Sequence, residues 1–359
     1  MTILTVNSRN SLASLPDEAK QLFAIRERKS FDLSLEWFDL VARTALPPEE
    51  RLHLRLLTEE HTGRVRLIAP FRARLGRRTL LALGNYYTSR YELISGTDLD
   101  LEAMQVCGSA LRAERPAWTT LRLQPLLKDS SHYTTLIEAL RKAGWHVHEY
   151  YCFRNWFLPV ETTSYSDYFS QRPSRLRHTL ERKRRQFERL QGRFEILTGG
   201  ARLDAAIEDY ERIYAASWKR PEPYPAFVPG LIRLCAARGW LRLGLAYLGQ
   251  EAIAAQIWIL HHRRAAIYKL AYDQRFASYS VGSLLTDRLM REAIEVDRVR
   301  EVDYLIGDEV YKGDWMTHRR EYWGILAYNP STLIGRVGDL NQTLRKTLKN
   351  WAVRRGLLK

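Results

Sequence analysis

The sequence predicts a mixed α/β (α+β) fold made of two similar halves, each a mostly antiparallel sheet flanked by helices. Short runs of alternating apolar residues, typical of half-buried strands, are separated by longer segments with helical spacing. The predicted order of strands and helices in the first half recurs loosely in the second. Of the 359 residues, 45% are hydrophobic and 11% aromatic, which excludes a disordered or fibrous chain. A duplicated fold therefore accounts for the length better than two unrelated domains.

The first half begins with a predicted helix and continues as strands interrupted by two further helices. The predicted helices are 35–42, 101–113 and 133–143, and the predicted strands are 52–57, 65–74, 79–83, 119–123 and 145–158. A segment from Pro159 to Pro173, with several Ser and Thr residues, is a credible linker. We therefore expect a first domain over residues 1–158.

The second half repeats the pattern over residues 159–335. The predicted helices are 174–191, 204–218 and 283–296, and the predicted strands are 240–248, 252–260, 265–271, 301–306 and 321–328. Gly249-Gln250 and residues 262–264 are short connections that predict hairpins. Residues 336–359 follow as a basic terminal helix, on which Leu344, Leu348 and Trp351 form a stripe that predicts docking against the protein.

Positive charge is concentrated in two short segments. The formal net charge is +15, yet residues 172–195 and residues 336–359 each carry an excess of six positive charges. The first segment predicts an amphipathic helix that begins with Ser174 as N-cap and ends near Gly192. Its narrow apolar stripe consists of Leu176, Leu180, Phe187 and Leu190. The remaining basic face suits the phosphates of coenzyme A, tRNA or anionic lipid, and a merely solvated face is an equally good interpretation.

Several other classes of protein and site are disfavoured. Three dispersed cysteines predict neither a disulfide framework nor a zinc knuckle. His146, His148 and Cys152 share one side of a predicted strand but lack a fourth ligand, so no metal site is expected. The N-terminus lacks the apolar core of a signal peptide, and no run approaches the ~18 apolar residues of a membrane span. We expect a cytoplasmic protein without a transmembrane segment, for which peripheral membrane contact stays open.

An ordered set of motifs in the second half carries a resemblance to a known family. The motifs are Ala254-Ala-Gln256, Tyr268-Lys-Leu-Ala-Tyr-Asp273, Tyr279-Ser-Val-Gly-Ser-Leu-Leu285 and Gly307-Asp-Glu-Val-Tyr-Lys-Gly-Asp-Trp315. Together with the basic helix and with Glu36-Trp37, Leu83-Gly84-Asn85 and Tyr91, they resemble the CelD-type GNAT acyltransferases (the Acetyltransf_6 domain). That family is distantly related to the FemABX aminoacyl transferases. The resemblance covers about residues 30–330 and implies tandem GNAT-like folds, with acyl-CoA such as acetyl-CoA as cosubstrate and no tightly bound cofactor.

The resemblance also implies a donor site at a strand-to-helix turn. The turn consists of Tyr279, Ser280, Val281, Gly282 and Ser283, where a glycine lets the backbone approach a ligand and free N–H groups attract phosphate. Ala277 and Ser280 depart from the family's Arg/Gln-x-x-Gly-x-Gly/Ala loop, so an acyl carrier or aminoacyl-tRNA stays open as donor. A glycine that merely eases helix–strand packing is the alternative. Backbone N–H groups around Lys269, Leu270 and Ala271 are expected to polarise the acyl carbonyl.

The expected catalytic residues follow the last parallel strand. Acyl transfer needs a base for the nucleophile and an acid for the departing thiolate, so we expect Glu309 as base and Tyr311 as acid. Lys312 is expected to stabilise oxyanion charge or an anionic substrate. A salt-bridged loop is the alternative, and Asp303 is expected to face solvent. The candidate acceptor-binding residues are Gln256, Asp308, Trp315 and Arg177, although a tryptophan is more often part of the core.

Three functional hypotheses follow. The first is an N- or O-acyltransferase that moves an acyl group from acyl-CoA to a sugar, a polysaccharide or envelope precursor, or another small acceptor. The second is a FemABX-like transferase that uses aminoacyl-tRNA, for which the basic helix would contact tRNA. The third is a non-catalytic binding module that retains the fold, and we expect the N-terminal half to be of this kind.

Overall fold

The computed structural model describes residues 3–96 and 99–354, and the chain divides into two compact units. Unit 1 comprises Met1–Cys152 and Glu321–Lys359, and unit 2 comprises Phe153–Arg320. The division differs from the expected boundary after residue 158, because two long strands each run from one unit into the other. The last eight residues of the C-terminal strand and the helix after it thereby belong with the N-terminal half.

Unit 1 contains an antiparallel meander followed by helices and a parallel strand. Its strands are β1 (Leu4–Arg9), β2 (Glu50–Glu59), β3 (Val65–Arg74), β4 (Thr79–Ala82), β5 (Ile94–Ser95) and β6 (Thr120–Leu127). Its helices are α1 (Asp17–Glu27), α2 (Leu35–Thr44), α3 (Leu101–Ala113) and α4 (Ser131–Lys142). Strands β7 (His146–Pro159) and β13 (His318–Tyr328) cross the unit boundaries, and α10 (Leu333–Arg354) ends the described chain.

The strands of unit 1 pair in the order β1-β2-β3-β4-β6-β13. Neighbours in this order are antiparallel except β4 and β6, which run parallel from Thr79↔Thr120 to Leu81↔Arg122. The short β5 adds to β3 outside this order. A parallel neighbour requires a long crossover, and the chain between β4 and β6 supplies it with β5 and α3.

Unit 2 repeats that pairing order. Its helices are α5 (Tyr165–Ser170), α6 (Ser174–Arg189), α7 (Leu203–Ala215), α8 (Phe227–Ala237) and α9 (Val281–Arg291), and its strands are β8 (Arg193–Leu197), β9 (Leu241–Leu248), β10 (Glu251–His261), β11 (Arg264–Tyr272) and β12 (Glu301–Asp303). The pairing order is β8-β9-β10-β11-β12-β7, antiparallel except for the parallel pair β11 and β12. Both predicted hairpins and the predicted parallel strand are confirmed.

Helix α9 packs on the sheet of unit 2 and forms much of its core. Leu284, Leu285 and Leu289 are buried together with Trp258 from β10. Gly244 of β9 permits this approach, because a Cβ there would lie 2.7 Å from a methyl group of Leu289. One turn of π-helix (Glu292–Val296) extends α9 to the end of the helix that the sequence predicts. The predicted mixed α/β class is therefore confirmed.

The two basic helices differ from their predictions in detail. In α6, Ser174 is the first helical residue and Pro173 is the N-cap, so the expected Ser174 cap is wrong. Leu180 and Phe187 are buried as predicted, whereas Leu190 lies beyond the helix and is exposed. A Cβ on Gly192 would lie 2.4 Å from the Phe187 ring, which explains a glycine after this helix.

Helix α10 does not dock through the expected stripe. Leu344 and Leu348 are 50% and 63% exposed, and the helix instead attaches through other residues of its first turns. The side chain of Trp351 and residues 355–359 lie outside the described residues. Among the helices that the structure does describe, none combines the length and the apolar character needed to cross a bilayer.

Candidate active site in unit 2

Strands β11 and β12 pair over three residues and then separate. The register runs from Arg264↔Glu301 to Ala266↔Asp303, where β12 ends, while β11 continues to Tyr272. No described strand pairs with β11 on that side beyond Ala266. Because a strand edge carries N–H and C=O groups that need partners, this edge can bind a carbonyl. Lys269, Leu270 and Ala271, the predicted carbonyl-polarising residues, lie in this part of β11.

An irregularity in β11 marks the start of the open segment. Ile257 of β10 pairs with Lys269, whereas the next residue, Trp258, pairs with Ile267, so Tyr268 is an extra residue in β11. Such a bulge bends the strand and changes the direction of the following backbone groups. The bulge therefore lies directly before the three residues that the sequence singles out.

The open edge leads through a turn to the first residues of α9. Ser280 precedes the helix with a φ of 54°, and no side chain caps the first turn. The amides of Val281, Gly282 and Ser283 begin the helix and have no hydrogen-bond acceptor in the described chain. The first amides of a helix carry partial positive charge and bind phosphate groups well. The predicted donor turn is thus an uncapped helix N-terminus.

Gly282 has a packing role in addition to its place in this turn. A Cβ on Gly282 would lie 3.0 Å from the Tyr272 ring, and its carbonyl accepts a 2.8 Å hydrogen bond from Gln256. Gln256 is 1% exposed and also bonds Thr286 and Trp258. Gln256 therefore anchors the start of α9 from within the core and does not line an open groove in this structure, in contrast to its predicted acceptor-binding position.

The predicted catalytic residues lie on the loop after β12 and are held by an ion pair. Lys312 Nζ lies 2.7 Å from Glu309 Oε2 and donates a 2.6 Å hydrogen bond to the Ile306 carbonyl. Gly307 lies beneath them with a φ of 108°, and a Cβ there would be 2.4 Å from Glu309 Oε2. The Lys312 side chain is buried, whereas that of Glu309 is 58% exposed. A side chain at position 307 would be strained at this φ and would displace the ion pair.

The pKa shifts on this loop favour Tyr311 as an acid more clearly than Glu309 as a base. Burial alone would raise the pKa of the Glu309 carboxyl, but the hydrogen bond from Lys312 and the charges of Lys312 and Lys219 hold that pKa below its ordinary value. Burial raises the pKa of Tyr311 to about 12. Its ring stands edge-on to Tyr304, with 6.0 Å between the centroids. Tyr311 therefore keeps its proton at neutral pH, and Glu309 is a weak base.

A lysine on the loop between α7 and α8 belongs to the same site and escaped the sequence reasoning. Burial lowers the pKa of Lys219 to about 8, and Lys269, Glu222, Lys312 and Glu309 also act on it electrostatically. Its Nζ has no carboxylate or carbonyl partner among the described residues and lies 5.7 Å from the ring centroid of Tyr214. Lys219 is thus an amine that is partly neutral near physiological pH.

The loop that carries Lys219 spans the end of β11. The rings of Trp218 and Tyr272 lie 4.7 Å apart, and Lys269 of β11 forms a 2.8 Å ion pair with Glu222. The sequence signal for this loop is Ser217-Trp-Lys-Arg-Pro-Glu-Pro-Tyr-Pro225, in which three prolines prevent regular structure around charged residues. The sequence reasoning instead assigned residues up to 218 to a helix.

A cavity of about 290 Å³ lies beside Lys219. Its walls are mainly aromatic and aliphatic with a few polar groups, and they include Tyr210, Tyr214, Lys219, Pro221, Glu222 and Val228. Mostly apolar walls with a few placed polar groups are typical of small-ligand sites. This cavity could hold a small acceptor, whereas the predicted acceptor-binding residues do not line it.

The remaining predicted binding residues lie elsewhere in unit 2. Trp315 is buried in the core, where its carbonyl accepts hydrogen bonds from Tyr168 and Arg172. Arg177 donates to the Arg172 carbonyl. Asp308 lies 3.6 Å from Arg319 at the surface. None of these contacts joins Trp315, Arg177 or Asp308 to the cavity beside Lys219.

Asp303 is buried, so the expectation that it faces solvent is wrong. Its carboxylate accepts from Asn155 Nδ2 at 2.5 Å and is paired with Arg320. Arg320 also bonds Asn155 and Glu301. Because a buried carboxylate needs compensating donors, this network fixes β7, β12 and β13 together at the base of the catalytic loop.

The basic helix α6 lies close to the donor turn. Lys183 Nζ donates a 2.5 Å hydrogen bond to the Ser278 carbonyl, just before Ser280. The next residue, Arg184, forms an ion pair of 2.6 Å with Asp287 of α9. The positive charge of α6 therefore reaches the segment that leads to the free amides of α9.

Comparisons with known proteins agree with this architecture. The family model of the acetyltransferase (GNAT) domain matches residues 174–313. A search of curated proteins gives no match. Among solved structures, the C-terminal domain of a putative lysylphosphatidylglycerol synthetase from Agrobacterium fabrum aligns at a TM-score of 0.55 with 10% identity, covering 93% of this chain and 97% of that one.

Two further solved structures share the fold. FemX aligns at a TM-score of 0.53 with 10% identity, over 82% of this chain and 95% of its own. A tandem GNAT protein from the clavulanic acid biosynthesis pathway aligns at 0.50 with 12% identity, over 92% of this chain and 100% of its own. The acetyltransferase (GNAT) domain model thus matches residues 174–313, and the resemblance stated from the sequence is confirmed for this part of the chain.

Proposed function

We propose that unit 2 is an acyl-CoA-dependent N- or O-acyltransferase that acts on a small acceptor. The observation that carries this proposal is the separation of β11 from β12 directly beside the uncapped start of α9. An open strand edge suits the acyl carbonyl, and free helix amides suit a pyrophosphate. A donor with a thioester at one end and phosphates at the other matches both features at once.

The transfer step uses groups on two loops, the one that carries Lys219 and the one that carries Tyr311. The acceptor amine or hydroxyl attacks the acyl carbonyl carbon, its bond to that carbon forms, and the carbon–sulfur bond breaks. The proton of the nucleophile goes to the neutral amine of Lys219, and Tyr311 gives its proton to the departing thiolate. Donors on β11 stabilise the negative charge on the carbonyl oxygen during the attack. Lys312 and Glu309, paired as they are, keep the loop in place and set the charge around Lys219.

The choice of Lys219 over Glu309 as base rests on their contacts. Lys219 Nζ lies beside the cavity without a carboxylate partner among the described residues, whereas the Glu309 carboxylate is already paired with Lys312. An ion-paired carboxylate would have to give up that pairing to take a proton. Glu309 keeps the role of base only if substrate binding breaks this ion pair.

The cavity supports a small acceptor with an apolar face and hydrogen-bonding groups. Tyr210 and Tyr214 supply aromatic faces, and Glu222 supplies a carboxylate beside the ammonium of Lys269. A sugar or an amino sugar, including a polysaccharide or envelope precursor, has alternating C–H faces and polar groups that fit such walls.

Thermal unfolding with and without donor tests the proposal. Acetyl-CoA at about 100 times its dissociation constant stabilises the folded protein by about 2.7 kcal/mol, which raises the melting temperature by about 4 °C. Gly282→Trp should abolish that shift. Gly76→Trp in unit 1 is the matched control, because no atom lies within 4 Å of a Cβ at Gly76. The absence of a shift with acetyl-CoA and longer acyl-CoAs would refute acyl-CoA as donor.

An aminoacyl-tRNA donor is the second candidate, favoured by one observation. The basic face of α6 continues to the donor turn through the Lys183 contact with Ser278, and a basic helix beside the site suits the backbone of tRNA. A filter-binding titration distinguishes the two donors. Aminoacyl-tRNA should bind with an affinity that falls steeply with salt and exceeds that for random RNA, whereas equal binding to both RNAs would exclude this candidate.

A further inference from the structure

Helix α10 attaches to unit 1 through one small and polar face. Cβ atoms on Gly335 and Gly338 would lie 2.1 Å from the Asn329 carbonyl and 2.4 Å from the Tyr328 ring. Asp339 lies 2.7 Å from His146 Nδ1 and 2.6 Å from His148 Nε2. Residues spaced three and four apart lie on one side of a helix, so these contacts define the face that meets the protein.

The opposite face of α10 is apolar and exposed. Six aliphatic side chains are each between 50% and 78% exposed: Leu333, Ile334, Val337, Leu340, Leu344 and Leu348. At 1.5 Å per residue, this stripe runs for about 22 Å along the helix. A stripe of this kind normally packs against a core. In α10 the glycines and Asp339 occupy the protein side, so the stripe lies away from unit 1.

Charge around the stripe has one sign. From Leu340 to Lys359 the sequence contains six Lys or Arg residues and no Asp or Glu. Arg345 and Lys346 are exposed on the described helix, and Arg345 flanks the stripe at helical spacing. The acidic residue nearest to this segment, Asp339, is already bonded to two histidines. The helix therefore combines an apolar stripe with an uncompensated positive charge.

We propose that α10 is a docking surface for an anionic phospholipid membrane, which it meets through its leucine stripe. Acyl chains accept the aliphatic side chains, lipid phosphates accept Arg345 beside the stripe, and the excess positive charge of the segment attracts the anionic surface. A second copy of this chain fits the stripe less well, because it would bring two helices of like charge together. The surface belongs to unit 1 and does not depend on the function proposed for unit 2.

Vesicle flotation of the full chain tests this surface. The probes are vesicles of phosphatidylcholine alone and vesicles in which about one third of the lipid is phosphatidylglycerol. The wild type should float with the anionic vesicles, at least about tenfold more than with the neutral ones, and less so as salt rises. No flotation with anionic vesicles, or equal flotation with both, would overturn the proposal.

Variants of the exposed stripe distinguish a lipid membrane from a second copy of the chain as the partner of this surface. Leu340→Gln, Leu344→Gln and Leu348→Gln together should lower vesicle binding about tenfold or more without lowering the melting temperature, since all three side chains are exposed. Leu75→Gln, an equally exposed leucine of unit 1, is the matched control and should bind as the wild type does. Unchanged binding of the triple variant overturns the proposal. The proposal is also overturned if the wild type does not bind vesicles but forms a dimer that the triple variant does not form.

Discussion

Units 1 and 2 share a strand order but differ at the start of the helix that connects their two parallel strands, which is α3 in unit 1 and α9 in unit 2. In unit 1, the Asp100 side chain accepts a 3.1 Å hydrogen bond from the Ala103 amide and is paired with Arg66, so the start of α3 already holds a carboxylate. In unit 2, Ser280 makes no such bond, and the amides of α9 stay free. Helix starts bind anions. One start is closed by its own aspartate, and the other is open to a ligand.

The two units also differ in the segment that follows the second parallel strand, which is β6 in unit 1 and β12 in unit 2. In unit 1 the chain leaves β6 and enters α4 within four residues, with Ser130 as the N-cap. In unit 2 the chain after β12 forms a loop of fourteen residues, which carries Glu309, Tyr311 and Lys312 before β13 begins. The strand order thus recurs in both units, whereas among the described residues the uncapped helix start and the charged loop that the proposed transfer uses lie in unit 2.

The largest expected effect concerns Lys219. Lys219→Met keeps the length of the side chain but removes the amine, so we expect kcat to fall about 10³-fold without a loss of thermal stability. Lys128→Met in unit 1 is the control, because Lys128 also lies against aromatic rings, 4.5 Å from that of Tyr133, and next to a glutamate. Steady-state kinetics measure both variants. A kcat of Lys219→Met within about threefold of the wild type would remove Lys219 from the mechanism.

The value of kcat/KM is expected to rise about 50-fold between pH 6 and pH 8. The active form of Lys219 is the neutral amine, and its pKa is lowered to about 8. The value of kcat/KM should therefore rise about tenfold per pH unit below that pKa and level off above it. If Glu309 were the base, its anion would already be present throughout this range because its pKa is lowered. A flat profile from pH 6 to pH 9 would then be observed.

Closing the start of α9 should weaken donor binding about 30-fold. Ser280→Asp gives α9 the carboxylate that α3 has, and aspartate tolerates the left-handed backbone at this position. The new charge occupies the amides and repels phosphates. Ser130→Asp, at the start of α4 in unit 1, adds the same charge elsewhere as a control. Isothermal titration with acetyl-CoA measures both, and unchanged affinity in Ser280→Asp would show that the donor phosphates bind elsewhere.

A smaller, about tenfold loss of kcat is expected for Gly307→Ala. The added Cβ would displace Glu309 and Lys312 and is strained at a φ of 108°. Gly63→Ala in unit 1 is the matched control, since its φ is also positive, at 70°, but no atom lies within 4 Å of a Cβ there. If the two variants lose the same stability and neither loses activity, the ion pair contributes nothing to catalysis. Kinetics together with thermal unfolding make this comparison.

Much of the fold follows from local pattern. The bounds of β3 and α3 agree with their predictions, and most other predicted elements agree within a few residues, because alternation and helical spacing reflect burial of one face. Strands β1, β5 and β8 and helices α1, α5 and α8 were not predicted, and α5 lies within the segment 159–173 that was predicted as a linker. In α1 the apolar spacing is weak, and the Pro-rich approach to α8 masks its start. Such segments fold because of tertiary contacts.

The sequence by itself determined the mixed α/β class, the duplicated order, the strand-to-helix turn at residues 279–283 and the charged segment that contains Glu309, Tyr311 and Lys312. These depend on short-range spacing. Only the tertiary structure decided that Lys219 joins that segment, that Gln256 and Asp303 are buried, and that the leucine stripe of α10 faces away from unit 1. The pKa of an amine and the exposure of a stripe depend on which distant residues surround them, and no local pattern contains that information.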